Sequence, residues 1–290
     1  MQLSLSLFSG RPWPDTLQLC KLLDNGNWHA VYISDHFIRE PSHHKNGDVV
    51  ECWTTLSAIA ATTSNLKLGP LVSSTSMRHP AIIAKMAANI NAISDGRLIL
   101  GLGAGWDKTE HDAYGIPILD LEERIDMFEE SLIIIKGLLK NDLFSYEGNY
   151  FNIKNASCTP NIKNNEIPIM VGSWKGNKKI INHAEKYADS LNVISPLHQL
   201  KLMDLREINI HKSVYIPLIY VDDYSKKILS KYKNSIPKDH YMIWKEGINL
   251  KNQFTGVDEV IIGDFSFISD FDDVVCYLDH LNNIFNSALN

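Results

Sequence analysis

Two adjacent polar residues, Asp35 and His36, directly follow an apolar run in the stretch HAVYISDHF. The run Val31–Ser34 is predicted to be a buried strand, and an unpartnered carboxylate or imidazole is costly to bury. In a parallel barrel, polar residues just after a strand lie at the catalytic face, where His36 could take or donate a proton. Adjacent residues of an extended segment point opposite ways, so Asp35 need not contact His36. On the residues alone, a loop-capping aspartate and a packed histidine are the commoner explanation.

The stretch GPLVSSTSMRHP has the same form, because an apolar run ends in Ser73 and further hydroxyl residues. Those hydroxyls could bond the ring edge or the phosphate of a ligand, although a hydrophilic loop is the usual case. The stretch LGLGAGW then places Gly101, Gly103 and Gly105 after another predicted strand, where glycines let a backbone pass close to a flat ligand. Their G-x-G-x-G spacing is not the dinucleotide fingerprint, which argues against a nicotinamide-binding Rossmann fold.

A third stretch, MVGSWKGNKK, ends a predicted strand in Gly172, Ser173 and Gly176 and then begins a helix. The amino end of a helix that carries small residues is a natural position for an anion. Lysines cluster there, although they are normally favoured at the other end of a helix. A bound phosphate and a solvated charged face explain this cluster equally well. Its members are Lys175, Lys178 and Lys179.

Metal binding is not favoured by the ligand types and their spacing. His43 and His44 are adjacent in a polar stretch without spaced partners, so we predict no metal site. The cysteines are scattered and form no C-x-x-C pair, which favours reduced thiols of a cytosolic protein over disulfides or metal ligands. They are Cys20, Cys52, Cys158 and Cys276.

Short apolar runs alternate with amphipathic helical segments along most of the chain, which predicts parallel βαβ units. About eight strands suit a closed (β/α)8 barrel, and we predict one domain over residues 1–290. The alternation breaks at Asn141–Ile167, which reads as a hairpin or irregular loop, and is least clear at His198–Gly256. The predicted strands are Leu3–Phe8, Val31–Ser34, Leu66–Val72, Leu98–Leu102, Ile169–Val171, Leu191–Val193, Val214–Val221 and Val260–Ile262.

Composition excludes several classes of function. The 290 residues are 44% hydrophobic and 21% charged, which is ordinary for a globular protein. A net charge of −6 argues against a general nucleic-acid binder, which would carry a basic surface. The start MQLSLSLFSGRPWPD has no basic region followed by a long apolar run, and SLIIIKGLL is too short to span a bilayer. We therefore expect a cytoplasmic protein without nucleic-acid or membrane partners.

Several stretches in this order resemble the luciferase-like monooxygenase superfamily, and most of all its coenzyme F420-dependent oxidoreductases. They are ISDHF, ECWTTLSAIAATTSNLKLG, RHPAIIAKMAANINAISDGRLILGLGAGW, EHDAYGIP, GNYFNIKNA and PIMVGSWKGNKKIINHAEKYADSLNV. The resemblance runs from about Ser4 to Val193. It fades afterwards, although GVDEVIIGDF resembles the family's last strand.

This resemblance implies a TIM barrel with an insertion after strand four, where the break at Asn141–Ile167 lies. It also implies an oxidoreductase that holds a flavin, either FMN or the deazaflavin F420, across the carboxyl-end mouth of the barrel. A small-molecule substrate and a homodimer are implied as well. The substrate itself is not indicated.

The resemblance assigns roles to individual residues. His36 and Asp35 would lie beside the flavin ring as the catalytic pair, with His36 as proton donor or acceptor, and Ser73 would contact the ring edge. A non-proline cis peptide, common in strand three of the family, would fall at Pro70–Leu71. The implied cofactor-binding set is Asp35, His36, Pro70, Leu71, Ser73, Thr109, Val171, Gly172, Ser173, Gly176 and Asn177.

Between the two cofactors we favour F420, because its phosphate and acidic tail would use more lysines than the single phosphate of FMN. The family commonly has two glycines where this chain has Gly172–Ser173, which the bulky Trp174 follows, and it commonly has a hydroxyl residue at the position of Pro70. These departures leave an FMN-dependent monooxygenase that uses reduced flavin and O2 as the alternative. A flavin-binding barrel without turnover and a flavin-free sugar-phosphate enzyme are the further hypotheses.

Overall fold

The computed structural model describes residues 1–7, 9–38, 49–160, 166–195, 205–216, 218–221, 223–231, 242–245, 254, 256–263 and 270–289. The prediction that concerned His43 and His44 lies outside these residues, and so does part of the stretch 198–256. The prediction of one domain over 1–290 stays a prediction.

The described strands are β1 (Gln2–Leu7), β2 (Ala30–Ile33), β3 (Lys67–Pro70), β4 (Ser73–Ser74), β5 (Leu100–Gly103), β6 (Phe144–Glu147), β7 (Asn152–Ala156), β8 (Ile169–Trp174), β9 (Ser190–Ile194), β10 (His211–Ile216), β11 (Leu218–Val221), β12 (Met242–Lys245) and β13 (Glu259–Gly263). The described helices are α1 (Trp13–Asp24), α2 (Cys52–Thr62), α3 (Pro80–Ile93), α4 (Lys108–Tyr114), α5 (Leu121–Lys140), α6 (Lys178–Tyr187), α7 (Asp223–Lys231) and α8 (Phe271–Leu289).

The main sheet is parallel and runs in the order β3-β2-β1-β13-β10-β9-β8-β5-β4. Strands β3 and β4 are two parts of one barrel strand, because β3 pairs with β2 and β4 pairs with β5. A bridge from Leu68 to Leu98 joins the β3 side to the chain just before β5 and closes the sheet. Eight barrel positions filled in chain order are the arrangement of a TIM barrel, so the predicted fold class is confirmed.

Two predicted features of the strands need correction. The expected strand Leu66–Val72 is divided, and its cis peptide joins Leu71 to Val72, one bond later than predicted from the resemblance. The expected strand Val214–Val221 is also two strands. Only β10 belongs to the barrel, where β9 and β13 flank it, because β11 pairs with β12 in a separate sheet.

The barrel has two apolar layers, because side chains alternate between the two faces of each strand. One layer lies between the strands and the surrounding helices and contains most of the buried side chains. The other fills the barrel interior with Ala30, Tyr32, Leu71, Ile99, Met170 and Ile261. The interior is therefore a packed core, and only the strand ends can form a site.

The break in the alternation contains an antiparallel hairpin of β6 and β7. The Phe144 ring lies against Gly137 of α5, and Glu130 of α5 accepts hydrogen bonds from the backbone N–H groups of Asn149 and Tyr150. Phe151 contacts the His79 ring edge-on, at 5.2 Å between centroids. These contacts hold the hairpin against the outer helices; its identity as the family's insertion stays a prediction.

Two further predictions concern the membrane and the cysteines. Among the described helices, none combines the length and the apolar composition needed to cross a bilayer. Cys20, Cys52 and Cys158 are buried, Cys276 is exposed, and no disulfide joins these described residues.

Candidate active site

The carboxyl ends of β2 and β5 bring two titratable side chains together. His36 follows β2, and Glu110 lies in the first turn of α4, which follows β5. His36 Nδ1 and Glu110 Oε2 are 3.1 Å apart, and 34% of the His36 side chain is exposed against 3% for Glu110. The pair thus consists of a buried carboxylate and a half-exposed imidazole at the barrel mouth.

The Glu110 carboxylate makes three hydrogen bonds. Its Oε1 accepts the backbone N–H groups of Phe37 and of Ile38, the latter at 2.9 Å. Burial alone would raise the pKa of Glu110, but the hydrogen bonds from His36, Ile38 and Phe37 outweigh it and the pKa is lowered. Glu110 is therefore an ionised carboxylate near neutral pH.

The pKa of His36 is raised, chiefly by its hydrogen bond to Glu110, against the opposing effect of burial. The negative charges of Asp107 and Asp35 raise it further. An ionised carboxylate can only accept a hydrogen bond, so Nδ1 carries a proton and Nε2 is left for another partner. The Trp106 ring, 60% exposed, meets the His36 ring edge-on at 5.8 Å. This arrangement can transfer a proton beside an apolar surface.

Asp35 lies behind His36, as a pleated strand end requires, and its side chain is 0% exposed. Its Oδ2 accepts hydrogen bonds from Ser73 Oγ at 2.7 Å and Arg78 Nη1 at 2.6 Å. Burial raises the pKa of Asp35, while Arg78 and Ser73 lower it in part. Asp35 Oδ1 has no hydrogen-bond partner within the described chain. Asp35 therefore anchors β2 to β4, and a catalytic contact from it stays a prediction.

The hydroxyl residues after β3 divide between the two faces of their strand. Ser73 is fully buried and also accepts the Trp53 Nε1–H at 3.1 Å, so its predicted contact with a ring edge stays a prediction. Ser74 is half-buried and lies 2.8 Å from Ser76 Oγ, which in turn lies 2.9 Å from Nε2 of the buried His111. Ser74 is the more accessible hydroxyl at this strand end.

Glycines line the mouth because Val72 fills the space between their strands. A Cβ at Gly103 or Gly172 would lie 2.8 Å from Val72 Cγ2, which is too close. A Cβ at Gly101 would lie 2.1 Å from the Pro70 carbonyl oxygen. Two other residues predicted to bind the cofactor are packed in the core. Leu71 belongs to the barrel interior, and Val171 to the layer under the helices.

Helix α6 begins at Lys178, close to the predicted helix start, and its predicted phosphate contact stays a prediction. Asn177 caps the helix, because its side chain accepts the N–H of Lys179 at 3.0 Å and of Ile180 at 3.3 Å. The preceding Gly176 has a positive φ of 65°, and Ser173 Oγ is buried without a partner among the described residues. An anion at this position would meet backbone N–H groups and a small-residue turn.

The lysine cluster beside α6 is less available than predicted. Lys179 forms an ion pair with Glu122, and Lys175 lies over the Trp174 ring at 5.7 Å. The other predicted contact, Thr109, is exposed at the start of α4 and donates its N–H to Asp107. The charge expected to attract an acidic tail is therefore partly neutralised.

Ligand atoms of His36, Asp107 and Glu110 lie within 4.8 Å of one another, close enough for one metal ion. Both carboxylates already have hydrogen-bonding tasks. Asp107 caps α4 by accepting the N–H of Thr109 and Glu110, and Glu110 accepts those of Phe37 and Ile38. Hydrogen bonding accounts for the cluster without a metal.

Sequence reasoning missed Glu110, Arg78 and Trp106 as parts of this site. Helix α4 was missed with them, although Asp107 and Glu110 have the spacing of a capping box and indicate a helix start directly after β5. That signal would have placed Glu110 at the barrel mouth. Nothing in the sequence indicated the long-range pairing of Arg78 with Asp35.

Comparison with known proteins gives consistent matches. The sequence model of a family described as luciferase-like monooxygenase matches residues 2–201. The chain is 33% identical over 129 residues to an F420-dependent glucose-6-phosphate dehydrogenase of Kineococcus radiotolerans. These aligned residues cover 44% of this chain and 37% of that protein. The chain spans less than half the length of the curated relatives that it matches first.

Solved structures share the fold over nearly the whole chain. An F420-dependent secondary alcohol dehydrogenase in complex with an F420-acetone adduct superposes with a TM-score of 0.77 at 20% identity, over 96% of this chain and 97% of that one. The oxygenating constituent of 3,6-diketocamphane monooxygenase from Pseudomonas putida, in complex with FMN, gives 0.71 at 19% identity, over 97% of both chains.

Proposed function

The chain belongs to the luciferase-like monooxygenase family, and on this premise we propose that it is an oxidoreductase that uses a flavin or deazaflavin at its barrel mouth. We favour coenzyme F420, and the substrate is a small organic molecule. The observation that carries the proposal is the half-exposed His36 at the end of β2, hydrogen-bonded to the buried Glu110. A passive binding barrel has less need of a titratable pair at this position.

The residues at the mouth fit such a cofactor. Val72 fills the space beside Gly103 and Gly172, so these glycines let the strand ends pack closely under the site. The buried Ser173 hydroxyl has no partner in the described chain, and the amino end of α6 beside it suits a phosphate. When bound, the cofactor supplies the redox chemistry, and the protein supplies orientation and electrostatics.

In this proposal His36 is the proton donor or acceptor. Its Nδ1–H is held by Glu110, so Nε2 is the atom that gives a proton to, or takes one from, an oxygen of the substrate. The exposed Trp106 ring beside it offers an apolar surface against which a substrate can pack. Asp35 and Arg78 hold the end of β2 in place behind the site.

F420 is favoured on the names of the relatives, because the enzyme from Kineococcus radiotolerans and the secondary alcohol dehydrogenase are both F420-dependent. The lysine cluster supports it less, since Glu122 pairs with Lys179. FMN with reduced-flavin and O2 chemistry is the second candidate. The exposed Trp174 at the end of β8 favours it, because a bulky residue there would obstruct a long tail but admit one phosphate.

A parallel titration tests this proposal with F420 and FMN, each at low and moderate salt, followed by turnover with the reduced form of whichever binds. We expect F420 to bind more tightly and FMN more weakly. Sub-micromolar FMN binding without measurable F420 affinity would move the protein to the monooxygenase branch. Binding of neither would refute the flavin-dependent function.

We extend the proposal to a cytoplasmic homodimer. Helix α3 exposes two large apolar side chains, Ile82 at 55% and Ile93 at 44%, which suit burial against a second copy. Light scattering coupled to size-exclusion chromatography measures the mass directly. Ile82→Lys should shift a dimer toward monomer, whereas a monomeric wild type would contradict this part of the proposal.

A further inference from the structure

We propose that Glu110 is the positioning residue of this site: it fixes His36 in the tautomer that carries the Nδ1 proton and presents Nε2 to the substrate. This inference rests on the proposed function, because His36 is the group that acts there. Glu110 itself touches neither substrate nor cofactor in this scheme, and it acts through His36.

The geometry makes Glu110 a three-point holder. One carboxylate oxygen accepts from His36 Nδ1 at 3.1 Å, and the other accepts the consecutive backbone N–H groups of Phe37 and Ile38. The same side chain therefore fixes both the imidazole ring and the backbone that carries the ring. Because only 3% of the Glu110 side chain is exposed, water competes little for these bonds.

Helix α4 supplies the rigidity that such a holder needs. Asp107 caps the helix by accepting the N–H groups of Thr109 and Glu110, which fixes the first turn. Glu110 is thus held in position by its capped helix and by the three donors that it binds.

The charge state of His36 follows from the groups that face it. Glu110 hydrogen-bonds to it, and Asp107 and Asp35 add negative potential, while burial opposes protonation. The net effect raises the pKa of His36, so the protonated form extends to higher pH than for an exposed histidine. The protonated form, when present, carries a proton on Nε2 that it can give to a substrate oxygen.

The test is a ¹⁵N NMR titration of histidine-labelled protein without cofactor, with the His36 signals identified by their loss in His36→Gln. In the wild type we expect a protonated Nδ1 throughout and a midpoint above the ordinary histidine range. Glu110→Gln should move the midpoint to lower pH and mix the two tautomers. Asp107→Asn is the matched control, because it removes a nearby charge but keeps a capping side chain, so it should lower the midpoint less and leave the tautomer unchanged.

Two results would overturn the inference. A wild-type His36 protonated mainly on Nε2 would do so even if Glu110→Gln did not fold. A His36 signal that titrates only after a chelator is added would show a metal on Nδ1 in place of the hydrogen bond. Since the measurement needs no cofactor, the proposed function can fail in the flavin titration while this inference holds, and the reverse.

Discussion

Two buried glutamates at opposite ends of the barrel, Glu110 at the mouth and Glu259 at the start of β13, are equally hidden from water at 2% exposure each. Their pKa values shift in opposite directions. That of Glu110 is lowered, because the donors around it outweigh burial. That of Glu259 is raised by burial, against the smaller effect of hydrogen bonds from Ser4 at 2.5 Å and Tyr32 at 3.3 Å.

The hydrogen-bond donors around each carboxyl, together with burial, set the direction in which its pKa shifts. Backbone N–H groups and a protonated imidazole can only donate, so they favour the ionised form. Hydroxyl groups can bond either form of the acid, so Ser4 and Tyr32 allow Glu259 to keep its proton. The pKa values therefore favour the ionised form of Glu110 at the mouth and extend the neutral form of Glu259 at the opposite end to higher pH.

The largest effect is expected on turnover when His36 at the barrel mouth is replaced. His36→Ala should lower turnover about 100- to 10,000-fold, the usual contribution of acid–base help, while folding and cofactor binding remain. Stopped-flow oxidation or reduction of the bound cofactor measures this. His29→Gln, at the amino end of the same strand, is the matched control and should leave the rate unchanged. An unchanged rate in His36→Ala would show that His36 takes no part in the chemical step.

A third buried carboxylate, Asp35, differs from both glutamates because its partner is a cation, Arg78. Arg78→Met should destabilise the protein by roughly 3–5 kcal/mol, since it leaves Asp35 buried without its ion-pair partner. Urea unfolding measures the change. Adding Asp35→Asn should recover part of the loss, and a double variant as unstable as the single one would argue against an uncompensated charge as the cause.

The two glutamates should respond to pH in opposite ways. The raised pKa of Glu259 lowers the stability of the fold once the pH rises above the pKa of this group in the unfolded state. The stability of Glu259→Gln relative to wild type should therefore increase as the pH rises from 4 to 8. The lowered pKa of Glu110 adds stability above the unfolded-state pKa that is lost as pH falls, so Glu110→Gln should lose on wild type over the same range. The measurement is the melting temperature of each variant minus that of the wild type across this pH range. If this difference changed in the same direction for both variants, the opposite pKa shifts of the two glutamates would be wrong.

The smallest effect is expected at the rim of the mouth. Lys179→Ala should weaken F420 binding less than about threefold, because an exposed ion pair with Glu122 contributes little and already occupies the lysine. The F420 titration repeated at two salt concentrations measures it. A loss of tenfold or more that disappears at high salt would show that this lysine binds the acidic tail after all.

The sequence alone predicted most of the barrel and one of the two residues in the His36–Glu110 pair. The alternation of strands and helices indicated a parallel barrel, and the polar residues after β2 placed His36 at its mouth. It missed Glu110 because that residue pairs with His36 across 74 positions of sequence. The sequence also predicted β10 and β11 as one strand, Val214–Val221. A local apolar run does not show with which strands its two halves will pair.

The features that follow directly from the sequence are local: the strand and helix periods, the cap at Asn177, and the glycines that a crowded strand end requires. The tertiary structure decides which side chain of Asp35–His36 reaches the mouth, which carboxylate holds the imidazole, and which glutamate neutralises Lys179. The physical reason is barrel closure. The register between parallel strands sets which strand ends become neighbours, and the resulting mixture of donors and burial sets each charge.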